Sequence, residues 1–524
     1  MNKNFLKNNL FFYFFILLFS FGINYYYANL GVYPIDTFAF FDTAYSILLG
    51  LHPFKDIWIT TGPVVDYLQA FFFWTFGLSW NSYVLHASLL NSLISVFFFT
   101  TLLKFNLNKY LSLFYSVAFS VLAYTVSGTP FAYLHSYTFS LLAILVFFHC
   151  IKFKSGISFF FLPIIIFLAF FSMQNPATFS GLIILIFLFI YFYYNFEKRL
   201  FAILLIGFLS TIMLLFIYLW FTKVPIENIW IQYFLFPLSI AKNRITGNEL
   251  AHFTLYERSS FRNIIGHFKF INLYILLFLI TTCKEILNKN LSKEEGIINF
   301  SLIFLGIALI FNQLLTSNQT YIFSLIPFLG AFFHIFFKRK YPKLFKTQVV
   351  LVIIVLFCTL KYHGEYNSKR KFIDLQNVNL SNFAKGSDLN KKFENLKWIT
   401  PLFPDNPKKE IALLKDASIH IGREKRPKMV ITTDQFFSLL LEENLNIPNR
   451  WYTRGGNSYP LKGNEYFNFY KAHINKIIIK KKIKVIFFVR YPGFNHFKDY
   501  FEDICFNKTE LNEITNSYTL KDCN

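Results

Sequence analysis

About eleven runs of roughly 16 to 22 mostly apolar residues fill the first two-thirds of the chain, and no other feature restricts its fold as much. Crossing a hydrocarbon core takes roughly 20 residues of helix, and a backbone without water must satisfy its own N–H and C=O groups. The runs lie near 10–28, 83–103, 110–126, 131–151, 158–172, 177–196, 200–221, 271–288, 297–314, 320–337 and 347–362. A soluble domain would interrupt such stretches with polar faces. With 55% apolar residues, the sequence predicts an α-helical polytopic membrane protein.

The formal net charge of +22 invites a nucleic-acid reading, because basic patches bind phosphate backbones. The distribution of the charge argues otherwise. Lys104 and Lys109, Lys152 and Lys154, Lys198 and Arg199, Lys284 to Lys293 and Lys338 to Lys346 fall in short loops between apolar runs. Positive residues retained on the cytoplasmic side produce that pattern, which places the amino terminus inside. Segments 127–130, 173–176, 222–270 and 315–319, the first loop 29–82 and the tail then fall outside. Lys3 and Lys7 precede the first run as in a signal peptide, but bulky Asn24-Tyr-Tyr-Tyr-Ala28 replaces a small-residue cleavage site. The segment reads as an uncleaved first span with an aromatic belt at its outer end. Counting Gly62 to Leu78 as a further span would invert every later loop. It is expected to lie along the outer surface, with Asp66 at its polar end and Trp74 and Trp80 at the interface.

From about His363 the chain becomes polar. A short apolar strand from Met429, a helix Asp434 to Glu443, an amphipathic stretch Tyr466 to Ile479 and a strand Lys484 to Val489 suggest a small α/β lobe. The expected division is a transmembrane domain, 1–362, and an extracytoplasmic lobe, 363–524. Cys150, Cys283 and Cys358 read as small core residues, whereas Cys505 and Cys523 suit a disulfide in an oxidising compartment. No metal-type Cys/His spacing, phosphate-binding glycine loop or internal repeat is present in the sequence.

Carboxylates are scarce here, yet the first loop holds Asp36, Asp42, Asp56 and Asp66. Acids beside a bilayer are costly and mark functional sites. Asp36 stands where the chain leaves the first span and suits the N-cap of a helix running to about Leu49, which is also its plainest structural role. Asp42 lies six residues on, off the same helical stripe, though both acids could face one cavity. Asp56 follows a Pro-Phe-Lys turn ahead of Thr60-Thr-Gly-Pro63.

In order and spacing, these residues resemble the opening of the GT-C class of polytopic glycosyltransferases, related to protein O-mannosyltransferases and lipid A aminoarabinose transferases. The similarity is carried by Asp36, Ala44 to Gly50, His52-Pro-Phe-Lys-Asp56, Gly62-Pro63 and Phe76-Gly77, and covers residues 30–100. Beyond that it is architectural: many spans, the short outer segment Gln174-Asn-Pro-Ala177 and an outer lobe. The resemblance implies inverting transfer of a sugar from a polyprenyl-phosphate carrier to a hydroxyl on a lipid, glycan or protein at the outer face. Asp36 matches the family's general base, with Asp42 or Asp56 assisting. The second acid that often follows the first is replaced by Thr37. A lipid-phosphate leaving group needs cationic donors, for which Arg244, Arg258, Arg262 and Lys55 are candidates. His135, Asn318 and Gln319 are expected at the cavity's edge, and for each of these groups a lipid-facing or purely structural role is the alternative. A divalent ion can sit near the acids but is not required by a monophosphate donor. A transporter, or a flippase or polymerase of lipid-linked oligosaccharide, is the competing class. Transporters place polar or broken helices at mid-bilayer, whereas the acids here sit at the outer end.

Overall fold

The computed structural model describes residues 3–123, 128–247, 253–316, 322–453, 456–502 and 504–521, with side chains from Asn9 onward. Helix α1 (Lys3–Ala28) leads into two short helices, α2 (Pro34–Thr37) and α3 (Phe41–Leu48), and then α4 (Val64–Phe76). The bundle continues with α5 (Trp80–Lys104), α6 (Lys109–Leu122), α7 (Ala132–Phe153), α8 (Gly156–Phe170), α9 (Gln174–Tyr194) and α10 (Lys198–Thr222). After α11 (Ile226–Ile229), a π turn leads to α12 (Phe236–Thr246); α13 (Leu255–Arg258), α14 (Lys269–Leu287), α15 (Lys293–Thr316), α16 (Leu325–Lys340) and α17 (Phe345–Tyr362) complete it. Each of the eleven expected runs contains a helix among its described residues. Among the described residues, eight helices are long and apolar enough to cross a membrane. The other three, α6, α8 and α16, have 14, 15 and 16 residues.

Polar side chains join neighbouring spans where little hydrophobic drive exists between them. Asn24 of α1 donates to Ser88 Oγ (2.9 Å), and Asn91 of α5 donates to the Ser120 carbonyl (3.1 Å). The basic loops converge on one end of the bundle. Lys152 pairs with Glu294 at 3.4 Å, Lys154 pairs with Glu197, and Glu295 takes Arg339 at 2.8 Å and Lys340 at 2.9 Å.

The C-terminal region begins with a two-stranded ladder, β1 (Ala384–Lys385) against β2 (Lys397–Trp398). Helix α18 (Pro407–Arg423), strand β3 (Lys428–Thr432), α19 (Phe437–Leu441) and α20 (Phe467–Lys480) precede β4 (Val485–Val489), α21 (Phe494–Phe497), β5 (Cys505–Asn512) and β6 (Thr515–Lys521). The sheet order is β3-β4-β6-β5, with β3 and β4 parallel and the other pairs antiparallel. Strands β3 and β4 are buried along their whole length, as parallel strands covered on both faces must be. Arg490, just past β4, donates to Glu410 (2.6 Å) and approaches Asp434 (3.4 Å), tying the sheet to α18. Asp434 is thereby held outside the helix expected from 434, which is confined to Phe437–Leu441. Cys505 is disulfide-bonded, whereas Cys150, Cys283 and Cys358 are free; Cys523 lies outside the described residues.

The first loop and the C-terminal region interlock. Gly31 N–H donates to Lys397 O (3.0 Å) and Val32 N–H to Ile399 O (3.0 Å). Trp58 N–H donates to Pro448 O (2.8 Å) and Arg450 N–H to Trp58 O (3.2 Å). Phe38, Trp80, Phe393, Trp398 and Phe436 pack in the seam between them. Hydrogen bonds therefore cross from loop 29–82 to residues beyond 363 in both directions.

Candidate active site

The helix expected from Asp36 to Leu49 is broken at Phe38–Phe40, which lets Phe38 and Phe40 turn into the core. The residue at the cap of α2 is Tyr33, with Pro34 starting the helix; Asp36 lies inside the first turn and is no N-cap. Asp36 is half-buried and lines a cavity of about 450 Å³. Ala39, Thr61, Tyr133, Met173, Arg450 and Trp451 share that lining. Burial pushes Asp36 from 3.8 up to about 7. The Trp451 indole N–H, facing the carboxyl without completing a close hydrogen bond, holds it part-way back.

A second cavity of about 1000 Å³ shares Thr61, Met173 and Trp451 with the first and extends past Gln174 to Arg244 and Thr316. The two adjoin across these residues, between the ends of α7, α9, α12 and α15. Arg244 on α12 donates from Nη1 to Leu315 O (3.1 Å), and its guanidinium lies 4.5 Å from the Phe253 ring centre. Its Nε is buried without a partner. Burial lowers Arg244 to about 10, so it stays cationic at neutral pH. Arg258 lies over the same Phe253 ring at 5.1 Å, whereas Arg262 is exposed.

Asp42 is directed elsewhere. Its Oδ2 accepts from Ser438 N–H (3.0 Å) and its Oδ1 from Leu439 N–H (2.9 Å), capping α19 from across the seam. Burial raises it to about 7 as well, opposed by those two backbone donors. Asp56 accepts from His52 N–H (3.0 Å) and closes its own turn, while Lys55 Nζ donates to Thr222 O (2.9 Å). Both line a different cavity. His135 is buried one turn into α7, its Nδ1 3.0 Å from Phe131 O and its Nε2 3.0 Å from His86 Nε2. If His135 donates to the carbonyl, His86 donates to His135, and the Gln69 amide must turn its NH2 towards His86 Nδ1. That turn also satisfies a Gln69 nitrogen otherwise buried without a partner. Asn318 and Gln319 lie outside the described residues. Among those described, no group of three or more His, Cys, Asp or Glu side chains stands where it could hold a metal ion.

Arg450 and Trp451, which line the cavity beside Asp36, were not anticipated. Arg450, fully enclosed, donates from Nη1 to Asp66 Oδ2 (2.6 Å) and Gly62 O (3.3 Å) and from Nη2 to Thr61 Oγ1. It also lies over Phe40 at 4.7 Å. Asp66, expected at the polar end of a helix along the outer surface, is the buried counter-ion of an arginine from the lobe; burial raises it and Arg450 pulls it back, to about 6. Trp80, expected at the interface, is likewise buried, its indole donating to Asn29 Oδ1 at 2.7 Å, whereas Trp74 is exposed. Asn446-Ile-Pro-Asn-Arg-Trp-Tyr452 is a polar-aromatic run in the sequence, but nothing in it points to residue 36.

The architecture is that of a polytopic helical membrane protein with a small C-terminal sheet region. It is similar to the crystal structure of ArnT from Cupriavidus metallidurans bound to undecaprenyl phosphate, over 98% of this chain and 98% of that one, with a TM-score of 0.46 and 11% identity. No family profile and no curated protein matches the sequence.

Proposed function

We propose that this chain is an integral membrane glycosyltransferase of GT-C type, moving a sugar from a polyprenyl-phosphate donor to a hydroxyl acceptor at the outer membrane face. The observation that carries the reading is the recess itself. An acid with a pKa near 7 lines one cavity, and a cationic arginine lines the cavity that adjoins it.

In the proposed reaction the acceptor O–H gives its proton to the Asp36 carboxylate as its oxygen bonds to the anomeric carbon. The bond from that carbon to the phosphate oxygen breaks on the opposite face, inverting the centre. The electron pair leaves on polyprenyl phosphate, whose charge Arg244 stabilises, with Arg258 beside it. A base poised near 7 is half ionised at neutral pH and strong enough to accept a proton in the transition state. Arg450 has three of its N–H donors engaged by Asp66, Gly62 and Thr61, and serves to position the wall of the cavity it shares with Asp36. The 1–362 and 363–524 regions act as one body in this scheme, because the lobe supplies Arg450 and Trp451. The convergence of the basic loops on one end supports placing that end in the cytoplasm and the recess outside.

Mass spectrometry of envelope glycans tests the proposal. A deletion strain should lose one sugar from one glycan class, restored by the wild-type gene and not by an Asp36→Asn gene. Unchanged glycans in the deletion strain would overturn it. Reporter fusions after residue 290 should be cytoplasmic and those at 400 external; the reverse pattern would remove the outward-facing site.

A further inference from the structure

A second recess, of about 580 Å³, lies between α20 and the turn from Leu51 to Ile57. Lys55, Lys476, Lys480 and Lys481 line it, with Asp56 as the one carboxylate among its lining residues. His473 at its base adds no charge at neutral pH, since burial lowers it to about 4. Lys55 and Asp56 are the pair that the sequence suggested for the transfer site; the structure puts them here instead.

The recess is separated from the Asp36 cavity by the paired segments around Trp58 and Asn449. Ile57 and Ile447 face this side, while Thr60, Thr61 and Arg450 face the other. Three residues of extended chain span about 10 Å, so the two sites are neighbours but distinct.

Four ammonium groups meet in this recess against one carboxylate. Lys392, Lys409, Lys428, Lys462 and Lys471 each pair with a carboxylate. Lys476, Lys480 and Lys481 have no such partner among the described residues, and Lys55 reaches only a backbone carbonyl. The dipole at the end of α20 favours Lys480 and Lys481. It does not account for Lys476, whose i,i+4 spacing to Lys480 is repulsive, or for Lys55, which comes from another element. A concave site with a net excess of positive charge concentrates anions. Around it stand Leu51, Ile57, Ile447 and Ile477, and Lys55 touches Thr222 at the end of a candidate span. The chemistry fits a phosphoryl group on a larger body, held by ammonium point charges.

We propose that this recess binds a phosphoryl group, through Lys476, Lys480 and Lys481 with Lys55 behind them. The inference does not depend on the transferase reading, because it concerns binding alone.

The test uses the full chain in nanodiscs of zwitterionic lipid, titrated calorimetrically with inorganic pyrophosphate. Wild type should bind and lose affinity as salt rises. The triple variant Lys476→Gln/Lys480→Gln/Lys481→Gln should bind about 100-fold more weakly, from the usual contribution of three lysines near an anionic surface. Lys482→Gln/Lys484→Gln, exposed and outside the recess, should stay within about twofold. Native mass spectrometry with phosphatidylglycerol separates the sources. Retention of that lipid over phosphatidylcholine, reversed by pyrophosphate, identifies a lipid headgroup; pyrophosphate binding without lipid retention identifies a soluble phosphate compound. The competition is read on wild type, so a variant that misfolds does not block the decision. Absence of both ligands from the wild-type protein, or unchanged affinity in a folded triple variant, would overturn the proposal.

Discussion

Asp36 and Asp42 stand six residues apart in one loop, and burial lifts both to about 7. Their surroundings differ completely. Asp42 gives each of its oxygens to a backbone N–H of α19 and is buried there. Asp36 has a single indole facing it and an open cavity on the other side. A displaced pKa therefore does not distinguish a base from a clip. Access does: a proton acceptor needs room for the group that delivers the proton, whereas a cap needs its lone pairs filled.

The largest effect that can break this comparison is the loss of Asp36. Asp36→Asn should lower sugar transfer by about 10²–10⁴-fold, with expression and melting near wild type. Transfer at the normal rate would move the base elsewhere. The same group sets a pH signature. Wild-type transfer should rise about tenfold per unit below pH 7 and level off above it, as the carboxyl loses its proton. Stability should run the opposite way. Both acids have folded-state pKa values above the ordinary 3.8, so their contribution is complete below about 4 and is lost as pH climbs through about 7. A flat melting temperature across that window would contradict the burial of both.

Next in size is the pair behind the cavity wall. Arg450→Met leaves Asp66 buried and unpaired, which costs about 3–5 kcal/mol in comparable pairs. Chemical denaturation should show that loss, and an unchanged midpoint would mean Asp66 takes up a proton at little cost. Asp42→Asn is milder. An amide keeps one acceptor oxygen and turns an NH2 towards the second backbone donor, for a loss of about 1–2 kcal/mol. It should loosen the lobe in hydrogen exchange around Ser438 and Leu439 while leaving the pH profile of transfer in place. If Asp42→Asn shifts that profile and Asp36→Asn does not, the two roles are reversed. The smallest effect is expected at Glu257, whose carboxylate caps Thr254 N–H at 2.9 Å on an exposed helix. Gln caps in the same way, so Glu257→Gln should change melting and transfer by no more than a few tenths of a kcal/mol.

The helical membrane architecture was legible because long apolar runs leave the chain few alternatives in a membrane, and eight of the described helices are long and apolar enough to cross one. Strands β3 and β4 were legible for a similar reason, as short continuous runs of Met, Val, Ile and Phe. Asp36 could be singled out because it follows a span directly and carries a charge where charges are costly. The sequence could not say that Asp42 would be consumed by Ser438 and Leu439, nor that Asp66 would meet Arg450. Those partners lie 384 to 397 residues away. Periodicity reports which face of a helix is apolar, and loop spacing reports which side of a membrane a charge occupies; both are local. Which carboxylate faces a cavity and which is filled by backbone donors depends on how the first loop and the distant lobe close over each other. That closure is set by strand-like pairing at Gly31–Lys397 and Trp58–Pro448 and by aromatic packing in the seam, none of which leaves a periodic trace in the chain.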